Sequence, residues 1–295
     1  MGEGAGKVDS ELDPPFETIE PRALQAPIVF NSPHSGAIYP RAFLRASRLD
    51  PLTLRRSEDA FVDELVAPSV AIGAPLLRAR FPRAYLDVNR EPFELDPHMF
   101  DGRLPDYANT RSLRVAAGLG VIPRVVGDAQ AIYRGTLSVA EGLTRIATLH
   151  RPYHQKLESL LELARARFGI AILIDCHSMP SQSADVGGCD IVLGDRFGSS
   201  AAGWIVDTLE ASLRGSGLIV RRNKPYAGGY ITECHGAPAR ARHAVQVEIN
   251  RALYMDERSI QKLARASALT EALSEMSRAL AARIEGLGGA RLAAE

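Results

Sequence analysis

Ile170-Ala171-Ile172-Leu173-Ile174-Asp175-Cys176-His177-Ser178-Met179-Pro180 is the stretch on which the fold turns. Its first five residues are apolar without alternation, as a strand must be when both faces are covered, and a polar cluster follows at once. Such a strand belongs at the centre of a parallel sheet. Upstream, Leu143 to Ala166 repeats apolar residues at helical spacing, with Tyr153, His154, Leu157, Leu160, Leu161 and Ala164 on one face, and Gly169 ends it. Further strands are expected at Ala26–Phe30, Leu76-Leu77, Ala84–Val88, Ile191–Leu193, Leu218–Arg221 and Ala244–Ile249. Helices are expected from a Ser57 cap through Val66, from Ala201 to Leu213 and from Asp256 to Ile284. Strands alternating with helices make an α/β fold, a single-domain α/β/α sandwich with a mixed, mostly parallel sheet. Residues 1–15 read as a loose leader and 16–295 as one domain, with long loops from Glu91 to about Arg134.

Composition narrows the function classes. Apolar residues are 46% and charged residues 24%, an ordinary globular balance. Lys plus Arg and Asp plus Glu each number 35, so no global field draws the chain to nucleic acid or an anionic membrane. No segment has the apolar length of a signal peptide core or a membrane span. The three cysteines, Cys176, Cys189 and Cys234, suit a reducing compartment, and cytoplasmic residence is expected.

Two of the seven histidines share a local setting, an apolar strand emptying into a polar segment: His34 in Asn31-Ser32-Pro33-His34-Ser35-Gly36 and His177 in the stretch quoted above. Two imidazoles and one carboxylate, with a position left for water, meet the needs of a catalytic zinc site; cobalt, manganese or iron would suit the same donors. Glu58 or Asp59 supplies the carboxylate, and periodicity does not separate them. Glu248, inside Val245-Gln246-Val247-Glu248-Ile249, is hard to place in a parallel sheet unless it faces a polar site, where it can act as general base. Asp175 is placed to orient His177, and Cys176 falls on the other side of the strand, in packing. Each has an ordinary role beside the functional one: His34 and His177 as hydrogen-bonded turn residues, Glu58 as a first-turn helix carboxylate, Glu248 as partner to Arg251 or Arg242. A hydrolase using Cys176 or Cys234, or a non-catalytic small-molecule binder, are the competing classes.

The segments NSPHSG (31–36), RRSEDAFVDEL (55–65), YLDVNREP (85–92), IDCHSMP (174–180), GDRFG (194–198) and AVQVEINRALYMDE (244–257), taken in order, resemble the N-formylglutamate amidohydrolase family. The resemblance runs from Val29 to Asp256. It implies hydrolysis of N-formyl-L-glutamate to formate and L-glutamate, late in histidine degradation, and a fold similar to zinc carboxypeptidases and N-acetylmuramoyl-L-alanine amidases. It implies Zn2+ on His34, Glu58 and His177, with Glu248 as the catalytic base and His243 as an oxyanion donor. Asn89, Arg90, Arg134 and Arg251 would then hold a small acyl amino acid through its carboxylates. One segment departs: Thr232-Glu233-Cys234-His235-Gly236-Ala237-Pro238 stands where TxxYGxP is expected, which keeps another N-acyl amino acid or a small peptide in play.

Overall fold

The computed structural model describes residues 9–127, 129–182 and 187–292, with side chains to 287. Its main sheet has seven strands: β1 (Phe16–Ile19), β2 (Ile28–Ser32), β3 (Leu76–Ala79), β4 (Ala171–Met179), β5 (Ile191–Gly194), β6 (Val220–Arg222) and β7 (Arg242–Asn250). The order across the sheet is β1-β3-β2-β4-β7-β5-β6. β4 runs parallel to β2 and β7, β5 parallel to β6, and β5 antiparallel to β7, so the sheet is mixed and mostly parallel. All nine residues of β4 are buried, which requires cover on both faces and explains the unbroken apolar run.

The principal helices are α1 (Pro51–Arg55), α2 (Val62–Val66), α3 (Val139–Arg145), α4 (Arg151–Phe168), α5 (Gly203–Gly215), α6 (Tyr230–His235) and α7 (Ala266–Leu292). One π turn, Ile146–His150, joins α3 to α4. Leu269, Leu273, Met276 and Leu280 form a buried stripe on α7, which packs against α2 and α5. α6 lies on β4 and β7. No helix among the described residues is long and apolar enough to cross a membrane.

The chain divides into two compact units that it enters alternately. The first comprises Met1–Glu17, Pro33–Ala60 and Arg78–Leu157; the second comprises Thr18–Ser32, Phe61–Leu77 and Glu158–Glu295. β2 and β4 to β7 belong to the second, and β1 and β3 straddle a boundary.

Several expected elements differ in a way that bears on function. Residues 1–8 of the leader lie outside the described residues, while Ser10–Leu12 form a 3-10 turn that buries Leu12. β4 does not stop at Ile174: it continues through Asp175, Cys176 and His177 to Met179, so the polar residues are part of the ladder. Ser57 caps no helix. α2 starts at Val62 behind Phe61, whose φ of 66° is left-handed, because residues 57–59 are tied elsewhere, as shown below. Ala84–Val88 is buried loop rather than strand. Pro82 starts a turn there, and the carbonyls of Tyr85 and Val88 are taken by the side chains of Arg145 and His154, which removes the need for a neighbouring strand. The last helix begins ten residues late, since Asp256 accepts the backbone N–H groups of Arg258 and Ser259 and forms a turn between Met255-Asp256 and Gln261-Lys262.

Candidate active site

In the first unit the site begins where the chain has left β2 at Ser32 and turns at Pro33. Gly36 is required there: a Cβ on it would lie 2.1 Å from the Phe81 carbonyl oxygen. Asp59 donates its backbone N–H to the His34 carbonyl (3.0 Å), and the Ser35 hydroxyl donates to the Asp59 carbonyl (3.1 Å). These two bonds hold segment 57–59 against the His34 turn, where a helix start was expected. They bring the Asp59 carboxylate to 3.2 Å from His34 Nδ1. The other ring nitrogen, Nε2, lies 2.8 Å from Asp87 Oδ1. His34, Asp59 and Asp87 are each 1% exposed. Burial opposes ionisation of Asp87, but Arg83, His34 and Arg90 outweigh it and hold the carboxyl well below the usual range. Arg83 Nε and the Asn89 backbone N–H fix the same group, at 2.9 and 2.8 Å.

Glu58 is committed differently. Its carboxylate accepts from the Tyr39 hydroxyl at 2.6 Å and from Arg55 Nε at 3.1 and 3.2 Å. Between the two adjacent carboxylates, the one placed on His34 is therefore Asp59.

The donor set can be tested against a metal. An ionised Asp87 makes His34 Nε2 the protonated nitrogen and turns the Nδ1 lone pair toward Asp59 Oδ2. With the ring neutral, Nδ1 and Asp59 Oδ2 at 3.2 Å are two acceptors that need a proton or a metal ion between them. With Zn–N and Zn–O bonds near 2.0–2.1 Å, two ligands at a tetrahedral angle stand about 3.3 Å apart. The His34–Asp59 pair has the spacing of one edge of such a site.

In the second unit, β2, β4 and β7 place a polar row on one face of the sheet. Parallel register sets Asn31 opposite Asp175, Gln246 opposite Asp175 and Glu248 opposite His177. Partners in register point to the same side. Asp175, fully buried, accepts from Asn31 Nδ2 at 2.7 Å through one oxygen and lies 3.0 Å from His177 Nε2 through the other. Next to this, Gln246 Nε2 donates to Glu248 Oε1 at 2.7 Å, and Gln246 Oε1 accepts the Gly229 N–H at 2.8 Å. His177 and Glu248 are 2% and 7% exposed.

Other sequence candidates fall elsewhere. His243 pairs with Ile172 at the start of β7, five residues before Glu248, or about 17 Å along an extended strand. Its Nδ1 accepts from the Ala202 N–H, burial lowers its pKa, and the structure does not bring it beside Glu248. Arg251 is buried and donates to the Ser178 hydroxyl at 3.1 Å. Arg90 gives Nε to the Leu119 carbonyl and NH1 to the Asn89 carbonyl, and burial lowers its pKa although Asp87 opposes the shift. Arg134 lines a separate cavity of about 220 Å³ that neither His34 nor Asp87 reaches.

The cysteines offer no poised nucleophile. Burial, reinforced by Asp175, pushes the Cys176 thiol far up, and burial also raises Cys234. The unusual Cys234-His235 segment has a structural account: buried His235 contacts Glu158 at 3.2 Å, and Glu158 also grips Arg242 through two bonds. Hydrogen bonds from His235 and Arg242 lower the Glu158 pKa to about 2. Sequence reasoning missed Asp87, Asn31 and Gln246. Asp87 alone carried a signal, an acid amid buried apolar neighbours in the YLDVNREP segment.

The model of the N-formylglutamate amidohydrolase family matches residues 26–255, which span both units. The chain belongs to the N-formylglutamate amidohydrolase family. It is similar to the N-formylglutamate deformylase of Pseudomonas aeruginosa, 27% identical over 241 residues that cover 80% of this chain and 84% of the relative. The deformylase of Pseudomonas putida is 26% identical over 237 residues, covering 78% and 82%. Among solved structures, N-formylglutamate amidohydrolase from Ralstonia eutropha JMP134 superposes with a TM-score of 0.86 at 36% identity, covering 92% of this chain and 98% of that one. A gene product of Agrobacterium tumefaciens shares the fold at a TM-score of 0.66 and 19% identity, covering 90% and 94%. The family match thus includes five of the six segments of the sequence resemblance in full and the sixth as far as Met255.

Proposed function

We propose that this family member hydrolyses N-formyl-L-glutamate to formate and L-glutamate, using a divalent metal held by His34, Asp59 and His177. Asp59 replaces Glu58 as the carboxylate in this proposal, and nitrogen and carboxylate donors in that ratio suit Zn2+. One observation carries it: both histidines have Nε2 against a buried aspartate, Asp87 for His34 and Asp175 for His177. A carboxylate behind the ring fixes the Nε2–H tautomer and makes Nδ1 the ligating nitrogen, as the partners behind metal-bound imidazoles do.

When bound, the ion supplies Lewis-acid polarisation of the formyl carbonyl and acidifies the attacking water. Glu248, directly across the ladder from His177, takes the proton of that water and passes it to the departing glutamate nitrogen. Gln246 holds one oxygen of Glu248, so proton transfer runs through the other. Asn89, Arg90 and Arg251 are assigned to the substrate side. The guanidinium of Arg251 suits a carboxylate, and Arg90 acts by fixing Asp87 and the Asn89 backbone. The family match across residues 26–255 supports a small-molecule substrate, and three unbridged cysteines fit the cytoplasm.

Metal analysis of the purified protein, paired with formate release from N-formyl-L-glutamate before and after chelation, tests the proposal. Stoichiometric metal and chelator-sensitive formate release are expected. Formate release that survives complete metal removal would end the metal assignment.

A further inference from the structure

Within the first unit, segments 46–48 and 132–134 clamp one another by reciprocal bonds. The Arg48 N–H donates to the Ile132 carbonyl (2.8 Å) and the Arg134 N–H to the Ala46 carbonyl (3.0 Å), flanking an antiparallel bridge between Ser47 and Tyr133. The two arginine side chains then repeat the exchange. Arg48 Nε donates to the Tyr133 carbonyl and Arg134 Nε to the Ser47 carbonyl, both at 2.9 Å. Each guanidinium is thus pinned through one N–H, and its two terminal amino groups have no protein acceptor among the described residues. Both line the cavity of about 220 Å³, together with Arg124, His98 and Thr136. Arg124 is neutralised by Asp96 at 2.7 Å. Among the described residues no carboxylate pairs with Arg48 or Arg134, so two exposed arginines, each tied through Nε to a backbone carbonyl, line one open cavity.

We propose that this cavity is an anion site in which Arg48 and Arg134 together grip the carboxylate of a small organic acid. A planar fork matches a carboxylate bidentately, and anchoring each Nε beforehand reduces the side-chain entropy lost on binding. At ~30 Å³ per water molecule, the cavity accommodates several waters or a five-carbon dicarboxylate in their place. The carboxylate has two sources, the side chain of the acyl amino acid substrate or a free dicarboxylic acid. The first rests on the proposed reaction; the second does not.

The test uses R48Q, R134Q and the charge-conserving R134K in the full, metal-loaded chain, with melting curves to confirm folding. Titration calorimetry with glutarate is expected to show binding to the wild-type protein, weakened about tenfold or more in R48Q and R134Q and less in R134K, since a charged hydrogen-bond pair is worth about that factor. A parallel rise in KM for N-formyl-L-glutamate, absent for N-formyl-L-norvaline, which lacks the side-chain carboxylate, assigns the site to substrate. Unchanged KM with weakened glutarate binding assigns it to a free anion. Wild-type protein that binds no glutarate, or variants unchanged in both glutarate affinity and KM, overturn the proposal. A chain that releases no formate would overturn the proposed reaction while leaving the glutarate result to decide this site.

Discussion

Replacing Asp175 by Asn examines the metal assignment through a residue that ligates nothing. Asp175 accepts from Asn31 Nδ2 at 2.7 Å with one oxygen and faces His177 Nε2 at 3.0 Å with the other. Both neighbours donate, and an asparagine there has one oxygen and one amino group, so with Asn31 held in its present orientation one of its two contacts becomes donor against donor. His177 can relieve the conflict only by moving its proton from Nε2 to Nδ1, which removes the lone pair assigned to the metal. Loss of a carboxylate behind a ligating imidazole costs roughly 10- to 100-fold in metal affinity, or about 1.4 to 2.7 kcal/mol. The unmet buried donor costs a further ~1–3 kcal/mol of stability in the metal-free protein. Competition against a chromophoric chelator at pH 7 reads the first quantity and urea unfolding of the apo form the second. C176A, on the opposite face of the same strand, is the control. A D175N protein that binds metal within threefold of wild type would refute the argument that Asp175 sets the coordinating nitrogen.

Glu248→Gln keeps side-chain volume and should leave metal content intact while lowering kcat for formate release by about 10²- to 10⁴-fold, whereas His243→Ala should leave kcat near wild type; a fully active E248Q removes Glu248 from proton transfer. Burial lowers the His150 pKa from 6.5 to about 4, so the unfolded chain takes up the proton first; the stability contributed by neutral His150 is present above pH 6.5 and is lost as pH falls toward 4. From pH 6.5 to 5 the wild-type protein should lose about 1.5 kcal/mol more than H150Q in denaturant unfolding, and parallel pH profiles would contradict this. Gly36→Ala forces a Cβ to 2.1 Å from the Phe81 carbonyl, so the His34 turn must shift; reduced metal affinity with retained secondary structure is expected, and unaltered metal binding would show that the turn yields without moving His34.

The sequence made the core legible where period and burial coincide. An unbroken apolar run found β4, and alternation within Val245–Ile249 set Glu248 apart from its neighbours. What it could not supply were contacts between distant segments. Glu58 and Asp59 are chemically alike and adjacent, and the choice between them rests on the Asp59 N–H bond to the His34 carbonyl, a contact 25 residues apart with no local periodic trace. Ala84–Val88 has the apolarity of a strand, yet its Tyr85 and Val88 carbonyls are satisfied by Arg145 and His154, 60 and 66 residues away. His243 shows the converse: it is close to Glu248 in sequence, but a strand converts sequence proximity into length, and five residues set the two about 17 Å apart along the strand.

Strand register explains why four polar residues survive in the centre of this core. Asp175 and His177 are two apart, as are Gln246 and Glu248, so each pair occupies one face of its strand. Parallel pairing with no offset then sets Gln246 beside Asp175 and Glu248 beside His177, with backbones roughly 4.8 Å apart. A slip of one residue in β7 would turn Glu248 to the other face and bring Val247 opposite His177, burying a carboxylate among apolar side chains. Because the apolar residues of β7 alternate with the polar ones, the slip would also expose Val245 and Val247 to the polar row. Core packing and chemistry therefore select the same register, and the positioning of Glu248 against His177 is maintained by the pattern that stabilises the sheet.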